Sequence, residues 1–390
     1  MKPQRKNCGG SQTRTVRAAL ESDEQFGAVA PPLHLSSTYS FAGFGQRRRF
    51  DYGRSGNPTR DALAEAIADL EGGVGAVVAA SGMAAITLVC QLLKPGDVLI
   101  APHDCYGGTY RFFDAMARRG AFEVLFIDQG DAGAWSQALA RRPAMIWIET
   151  PSNPLLRITD IRTVASAAKE QGALLAVDNT FLSPIWQQPI ALGADIVVHS
   201  TTKYLNGHSD VVGGAVVAAS KELHEALSWW ANCIGVTGAP FDSYLTLRGL
   251  RTLHARMAVH GRNAMIVSEW LQEQAVVKRV YYPGLVAHAQ HDLAKRQQNG
   301  FGAMISFEVR GGADRVRAVV ENVNLFSLAE SLGGVESLIA HPATMTHAAM
   351  NVDARRAAGI TDELLRLSIG IESVDDLIAD LGGAFAIANS

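Results

Sequence analysis

The sequence of 390 residues lacks the features of a secreted, membrane or nucleic-acid-binding protein. Its four cysteines, Cys8, Cys90, Cys105 and Cys233, show no C-x-x-C spacing, so neither a zinc site nor a disulfide framework is expected. No apolar run approaches the roughly 18 residues of a membrane span, and the basic N-terminus lacks the apolar core of a secretory signal. A net charge of −3 argues against binding nucleic acid through overall charge. These absences favour a cytoplasmic enzyme that acts on small molecules and needs no metal.

The composition is that of a globular protein, with 48% hydrophobic and 19% charged residues and no internal repeat or low-complexity tract. Residues 1–58 are rich in Gly, Ser, Pro and Arg and predict an extended N-terminal arm, in which Arg47–Arg49 would form a solvated face. Residues 59–250 predict a large domain. Residues 251–390 predict a smaller α+β domain at the C-terminus.

An alternation of apolar strand candidates and helical patterns fills the predicted large domain. Strands are predicted to begin near residues 75, 97, 123, 144, 173, 195 and 213, with helical segments in most of the intervals. Repeated β-α units predict an α/β fold with a mainly parallel seven-stranded sheet covered by helices on both faces. One helix is predicted over residues 59–71 with Thr59 as its N-cap. Another is predicted over residues 84–93.

The most informative stretch runs from Ala173 to Gly214 and contains two short apolar strands that end in polar residues. The first ends at Asp178, and the second leads into His199-Ser-Thr-Thr-Lys203. Because ligands of open α/β sheets bind outside the carboxyl ends of the strands, Asp178 and Lys203 are candidates for one crevice. A lysine, a carboxylate and nearby hydroxyls suit pyridoxal phosphate (PLP). On these residues alone, Asp178 could instead cap a helix and Lys203 could be a solvated loop charge.

The junction Ser81-Gly82-Met83 follows a strand candidate and opens a helix. Free N–H groups at a helix N-terminus, approached closely because Gly82 has no side chain, form an anion site. A plain tight turn is the alternative. Phosphate becomes the better interpretation together with Ser200 and Thr202.

Several motifs, in order along nearly the whole chain, resemble the Cys/Met-metabolism family of PLP enzymes, which has the aspartate-aminotransferase fold, or PLP fold type I. They are Tyr52-Gly-Arg54 with Asn57-Pro58-Thr59, Ser81-Gly82-Met83, Pro102 to Arg111, Glu149-Thr-Pro-Ser-Asn153-Pro154, Val177-Asp178-Asn-Thr180, His199 to Lys203, and Glu330-Ser-Leu-Gly-Gly-Val-Glu336.

The resemblance implies a role for each matching residue in holding the cofactor. Lys203 would link covalently to the cofactor aldehyde and move protons, and Asp178 would keep the pyridine nitrogen protonated. Tyr106 would stack on the ring and assist proton transfer, and Asn153 would lie near the ring hydroxyl. The phosphate would be held by Gly82, Met83, Ser200 and Thr202, together with Tyr52 and Arg54 of a neighbouring subunit. The active site would then be shared across a dimer, and a homotetramer is expected because relatives are so arranged.

The resemblance also implies residues that bind substrate. Arg366 would take the α-carboxylate, with Ser331 beside it. Arg111 matches an arginine assigned to the distal carboxylate of the substrate, and Glu330 matches a residue that holds the incoming or product amino acid. The implied reaction is γ-replacement of the acyl group of O-succinyl-L-homoserine by L-cysteine, giving L-cystathionine on the bacterial route to methionine.

Three alternatives to this reaction remain open. Arg54 is followed by Ser55 where close relatives often have a second arginine, which leaves O-acetyl-L-homoserine open as the substrate. A γ-lyase acting on cystathionine, or a sulfhydrylase acting on O-acetylhomoserine, would use nearly the same scaffold. Gly108 occupies the place of the reactive cysteine of methionine γ-lyases and argues against that activity. A binding module without catalysis would be expected to lack Lys203 or Asp178, and both are present.

Overall fold

The structure is a computed structural model that describes residues 9–348, 350 and 352–389. Cys8 and the start of the predicted arm lie outside the described residues. The chain forms two compact units. Unit 1 comprises the described residues up to Leu92 together with Gln188–His254, and unit 2 comprises Leu93–Gln187 together with the described residues from Ala255 onward.

The first part of the chain alternates helices and strands, as the sequence predicts. The elements are α1 (Ser11–Val16), α2 (Pro58–Glu71), β1 (Gly75–Ala79), α3 (Gly82–Cys90), β2 (Val98–Pro102), α4 (Gly107–Arg118), β3 (Glu123–Ile127), α5 (Ala132–Leu139), β4 (Met145–Glu149), α6 (Ile161–Gln171), β5 (Leu174–Asp178), α7 (Ser183–Trp186), a 3-10 helix (Ile190–Leu192), β6 (Ile196–Ser200), β7 (Gly214–Ala218), α8 (Lys221–Ile234) and α9 (Pro240–Leu250).

The remainder of the chain has shorter strands between helices. Its elements are α10 (Leu253–Gln272), β8 (Val277–Tyr281), α11 (His291–Gln297), β9 (Met304–Val309), α12 (Gly312–Glu321), β10 (Ser327–Leu328), β11 (Leu338–Ala340), α13 (Val352–Ala358), β12 (Leu364–Ser368) and α14 (Val374–Asn389).

Seven strands form one sheet in the order β1-β7-β6-β5-β4-β2-β3, which confirms the predicted α/β fold. Within unit 1, β7 pairs antiparallel with both β1 and β6. Within unit 2, the pairs β2/β3, β2/β4 and β4/β5 are all parallel. Strands β2, β4 and β7 are buried along their whole length, which explains their continuous apolar sequences.

A second sheet of five strands, in the order β10-β11-β12-β9-β8, confirms the predicted smaller α+β part. Strand β12 pairs antiparallel with both β11 and β9, so that Arg366 is opposite Ala340 on one side and Ser306 on the other. Both flanking strands are buried. Arg366 is therefore held in the interior of this sheet.

The N-terminus of α2 differs from its prediction by two residues. The N-cap is Asn57, whose side chain accepts from the N–H groups of Thr59 and Arg60. Pro58 follows as the first helical residue, a position that needs no N–H donor. Thr59 is not the cap, and its hydroxyl accepts instead from the N–H group of His34 at 2.9 Å.

Among the described residues, no helix combines the length and apolarity needed to cross a bilayer. That part of the chain also contains no group of three or more His, Cys, Asp or Glu side chains placed to hold a metal ion.

Candidate active site

In unit 1 the chain after β6 turns tightly and carries the candidate lysine. Lys203 is half-buried, its N–H donates to the carbonyl of Ser200 at 3.3 Å, and its carbonyl accepts from the N–H of Gly207 at 2.8 Å. The hydroxyl of Thr202 donates to the carbonyl of Gly213 at 3.2 Å and accepts from the N–H of the same residue at 2.9 Å. This turn is therefore fixed to the start of β7, which restricts where the Lys203 side chain can point.

The N-terminus of α3 lies against the end of β6. The hydroxyl of Ser81 caps the helix by accepting from the N–H of Ala84 at 3.0 Å. A Cβ atom at Gly82 would lie 2.9 Å from Cβ of Ser200, closer than real Cβ atoms approach one another, so a glycine is required there. Gly82 and Met83 open the helix and leave first-turn N–H groups without helical partners. Such a terminus, beside the Ser200 hydroxyl, fits a phosphate group.

Tyr52 and Arg54 lie together on the surface of unit 1. The guanidinium carbon of Arg54 is 5.4 Å from the centre of the Tyr52 ring, and its Nε donates to Oδ1 of Asn232 at 2.9 Å. Tyr52 is 50% exposed. Both side chains are accessible on a single chain.

In unit 2 the candidate acid Asp178 is the last residue of β5, as the sequence predicts. Its Oδ1 accepts from the N–H of Thr180 at 2.9 Å. In the parallel pairing of β4 with β5, Asp178 is the register partner of Glu149. Two carboxylates therefore end neighbouring strands.

Glu149 lies in one of the sequence motifs, which assigns it no role, and in the structure its carboxyl group contacts Tyr106. Its Oε2 accepts from the main-chain N–H of Tyr106 at 2.8 Å, and its Oε1 accepts from Nε1 of Trp147 at 3.3 Å. Burial raises the pKa of Glu149 well above its usual range, and the negative charge of Asp178 raises it further. Tyr106 is the N-cap of α4, and its side chain is 43% exposed, so the ring is available to a ligand.

Asn153 and Arg366 form a buried pair in unit 2. One guanidinium nitrogen of Arg366 donates to Oδ1 of Asn153 at 2.9 Å, and the other donates to the carbonyl of Ser331, also at 2.9 Å. Ser331 has a φ of 95°, a conformation that is uncommon for residues other than glycine. The structure thus brings together three residues that the sequence placed in the same site.

His347, which sequence reasoning did not single out, supports the same group. Its Nε2 lies 3.2 Å from the carbonyl of Asn153, and its Nδ1 lies 2.9 Å from the hydroxyl of Thr346. Burial and the nearby charge of Arg366 lower the pKa of His347 to about 4. A neutral ring that donates from Nε2 and accepts at Nδ1 satisfies both contacts. A histidine in a loop carries no sequence pattern that would have identified it.

Arg111 and Glu330, the other predicted substrate residues, are both exposed. Arg111 lies on α4, five residues after Tyr106, and Glu330 lies two residues after β10. Within the described ranges, neither forms an ion pair or a side-chain hydrogen bond with another residue. Each charge is thus free to meet a ligand.

An α/β fold with a lysine after one buried strand, an aspartate at the end of another and a helix terminus that fits a phosphate is the arrangement expected of enzymes that use PLP. The family model described as Cys/Met metabolism PLP-dependent enzyme matches residues 12–386. The chain belongs to this family, and its cofactor is pyridoxal 5′-phosphate.

Individual relatives match nearly end to end. Cystathionine gamma-synthase of Escherichia coli K12 is 58% identical over 97% of this chain and 98% of its own. Cystathionine beta-lyase of Coxiella burnetii is 48% identical over 95% of this chain and 97% of its own length. The solved structure of cystathionine gamma synthase from Xanthomonas oryzae pv. oryzae, in complex with aminoacrylate and cysteine, has a TM-score of 0.97 at 58% identity and covers 98% of this chain and 99% of that one.

Proposed function

We propose that this enzyme replaces the acyl group of O-succinyl-L-homoserine with the sulfur of L-cysteine and releases L-cystathionine and succinate. The observation that carries the proposal is the 58% identity, over 97% of the chain, with a cystathionine gamma-synthase. The reaction would belong to transsulfuration in methionine biosynthesis, in the cytoplasm. O-acetyl-L-homoserine is the alternative acyl donor.

The cofactor is assigned to the residues that match the motifs of the family. Lys203 would bind the aldehyde covalently, and Asp178 would hold a proton on the pyridine nitrogen. The phosphate would be bound by Tyr52, Arg54, Gly82, Met83, Ser200 and Thr202. The hydroxyl of Thr202 already bonds to Gly213 in both directions, so its bond to a phosphate would replace its donation to that carbonyl. When bound, the cofactor supplies the electron sink for removing substrate protons.

The protein side chains would then move protons and hold the substrate. Lys203, once released by the substrate amine, would take the proton from the substrate Cα and return protons at later steps. Tyr106 would stack on the cofactor ring, and the Nδ2 amide of Asn153 would face the ring hydroxyl. This orientation is supported by Arg366, which holds the Asn153 amide by its oxygen.

Four residues are assigned to the substrates. Arg366, with Ser331 beside it, would bind the α-carboxylate of the amino acid. Arg111 would bind the distal carboxylate of the succinyl group, and Glu330 would hold the amino group of the incoming cysteine. The exposure of Arg111 and Glu330, and their lack of ion-pair partners in the described chain, support these assignments.

The active site is further proposed to be shared between two subunits of a homotetramer, with residues 1–58 as an arm that reaches the neighbouring subunit. Tyr52 and Arg54 would contact the phosphate of that neighbour. Their surface position supports this role. We also propose that residues 59–250 form a large PLP-binding domain and that residues 251–390 form a smaller C-terminal domain.

A lyase is the second candidate, because a cystathionine beta-lyase is 48% identical over 95% of the chain. Supplying cystathionine alone, or sulfide in place of cysteine, separates the candidates. A synthase consumes cystathionine more slowly than it makes it, a γ-lyase or β-lyase consumes it readily, and a sulfhydrylase prefers sulfide. Faster consumption than synthesis of cystathionine would contradict the proposal.

The assignment of Arg111 is tested by its substitution with alanine. Loss of a charge-assisted pair should raise KM for O-succinyl-L-homoserine by roughly 10- to 100-fold and leave KM for O-acetyl-L-homoserine within about threefold. Arg118→Ala, on the same helix and exposed, is the matched control. Equal effects on both acyl donors would remove Arg111 from this role.

A further inference from the structure

The turn that carries Tyr52 and Arg54 is held to the rest of unit 1 by a buried arginine. Arg60 lies in the first turn of α2 and is only 7% exposed. One terminal nitrogen of its guanidinium donates to the carbonyl of Arg54 at 3.2 Å, and the other donates to the carbonyl of Gly238 at 3.3 Å. Gly238 lies in the loop between α8 and α9. A single side chain therefore connects the turn to this loop.

The main chain of Arg60 is itself fixed at the start of α2. Its N–H donates to Oδ1 of the N-cap residue Asn57 at 3.1 Å. The Nδ2 group of Asn57 donates in turn to the carbonyl of His34 at 2.8 Å and to the hydroxyl of Tyr39 at 3.1 Å. The Arg60 side chain therefore begins at a point that is bonded to the preceding part of the chain, and its reach to the Arg54 carbonyl is well defined.

Burial of this cation is not explained by an ion pair. No carboxylate of the described chain lies within ion-pair distance of the Arg60 guanidinium. Burial lowers the pKa of Arg60, and the nearby Asp61 and Tyr39 oppose this only in part. A buried charge is costly, but a planar guanidinium can donate to two separate carbonyls at once, which an ammonium group does less well. The two carbonyls therefore account for an arginine here.

The side chain of Arg54 is restricted as well as its main chain. Its Nε donates to Oδ1 of Asn232 at 2.9 Å, and its guanidinium carbon lies 5.4 Å from the centre of the Tyr52 ring. No residue that the structure describes accepts a hydrogen bond from its two terminal nitrogens. Two free N–H groups in one plane suit the oxygens of a phosphate. Their direction depends on where the Arg54 main chain is held.

We propose that Arg60 is a positioning residue that directs Arg54 towards the cofactor phosphate by holding the Arg54 carbonyl. This role rests on the proposed contact of Arg54 with the phosphate and on the proposed sharing of the site. Arg60 acts in the subunit that supplies Arg54 and does not contact the cofactor. Without its guanidinium, the Arg54 carbonyl would keep only the hydroxyl of Thr237, at 3.4 Å.

PLP titration of the apoenzyme tests whether Arg60 acts through Arg54. Arg54→Ala should weaken PLP binding by about 10-fold or more, through loss of charge-assisted hydrogen bonds, and Arg60→Ala by about 5-fold or more. The double variant should match Arg54→Ala within about twofold, because the second change removes nothing further. Arg315→Ala is the matched control, since Arg315 also donates to two carbonyls, in unit 2, and its loss should leave PLP affinity unchanged.

The affinities separate failure of this role from failure of the proposed site. Additive losses in the double variant, or unchanged affinity in folded Arg60→Ala, would overturn the positioning role while Arg54 keeps its own. Unchanged affinity in Arg54→Ala would instead remove Arg54 from the phosphate, and Arg60 with it. Arg60→Lys keeps the charge but not the two-nitrogen geometry, so it should also lose affinity and serves if Arg60→Ala does not fold. Wild-type affinity in Arg60→Lys would then refute the role.

Mixed oligomers test the subunit in which Arg60 acts, with turnover measured at limiting PLP. Arg60→Ala mixed with Lys203→Ala should regain activity, as Arg54→Ala mixed with Lys203→Ala should, because one site of each hybrid pair is then unchanged. Arg60→Ala mixed with Arg54→Ala should regain none, since both subunits supply a defective turn. Recovery with Arg54→Ala but not with Arg60→Ala as the partner of Lys203→Ala would contradict the proposal. Recovery with neither would contradict a shared site, and the PLP titrations would still decide whether Arg60 acts through Arg54.

Discussion

At the scale of single residues, the contacts of Arg366 determine how its neighbour is oriented. A guanidinium only donates, so its 2.9 Å contact fixes Oδ1 of Asn153 as the acceptor and leaves the Nδ2 hydrogens for another partner. The second terminal nitrogen of the same planar group donates to the carbonyl of Ser331. A lysine would keep the charge but lose this two-nitrogen geometry.

Arg366→Lys should therefore raise KM for the amino-acid substrates by about 10- to 100-fold, because charge-assisted hydrogen bonds to the carboxylate are lost. Steady-state kinetics with each substrate varied in turn measure the effect. Arg279→Lys, an exposed arginine on β8, is the control. Wild-type KM values for both substrates would show that Arg366 does not bind the α-carboxylate.

The proposed role of Lys203 gives the strongest single-residue prediction. Lys203→Ala should lower turnover at least about a thousandfold and abolish the visible absorbance of covalently bound cofactor. Lys221→Ala, an exposed lysine at the start of α8, should change neither. Retained turnover in Lys203→Ala would refute the covalent assignment.

At the scale of elements, the helix terminus of α3 is built on a contact that only glycine allows. Gly82→Ala brings a Cβ within 2.9 Å of Ser200, so the end of β6 and the first turn of α3 must separate. We expect PLP affinity of the apoenzyme to fall by roughly 10-fold or more. Gly383→Ala in α14, where a Cβ would meet nothing within 4 Å, is the control and should leave affinity unchanged. Equal affinities in the two variants would argue against a phosphate at this terminus.

Two buried histidines, His260 and His347, and the half-buried His288 make the loops and helices of unit 2 sensitive to acid. Burial is the largest cause that lowers the pKa of His260, His288 and His347 to about 4. Since the unfolded chain binds these protons near pH 6.5, the stabilisation is complete above that pH and is lost as pH falls towards 4. Each of the two fully buried rings, His260 and His347, contributes about 3 kcal/mol of this loss.

His347→Gln removes one of these titrating groups, so the free energy of unfolding of the variant should fall less between pH 7 and pH 4.5 than that of wild type. Urea unfolding at pH 7 and pH 4.5 measures the difference, with the exposed His208→Gln as the control. An equal loss of unfolding free energy in the variant and in wild type would contradict a buried neutral His347.

The sequence predicts most elements well, and its failures come from contacts between residues that are distant in the sequence. The strand starts and the polar residues that follow them are predictable from continuous apolar runs, which is why the sequence places Asp178 at the end of β5 and Lys203 shortly after β6. The cap of α2 was misplaced because Thr59 bonds to His34, a contact 25 residues away in sequence. Glu149 and His347 were missed because their importance comes from Tyr106 and Asn153, which approach them only in the folded chain.

At the scale of the whole molecule, a shared active site predicts complementation between inactive variants. Arg54→Ala and Lys203→Ala should each be inactive alone. In mixed oligomers, one site of each hybrid pair carries both changes and the other carries neither, so random mixing should restore about a quarter of wild-type activity. Refolding the two variants together and measuring turnover tests this. No recovery, with hybrid oligomers confirmed by mass, would contradict sharing of the site.

In the proposed reaction the sulfur of cysteine takes the place of the departing acyl group. The most direct test incubates the PLP-loaded enzyme with O-succinyl-L-homoserine, with and without L-cysteine, and quantifies cystathionine and 2-oxobutyrate together. We expect cystathionine to dominate whenever cysteine is present. If 2-oxobutyrate dominates regardless of cysteine, the enzyme is an eliminating lyase, and the roles proposed for Arg111 and Glu330 are wrong.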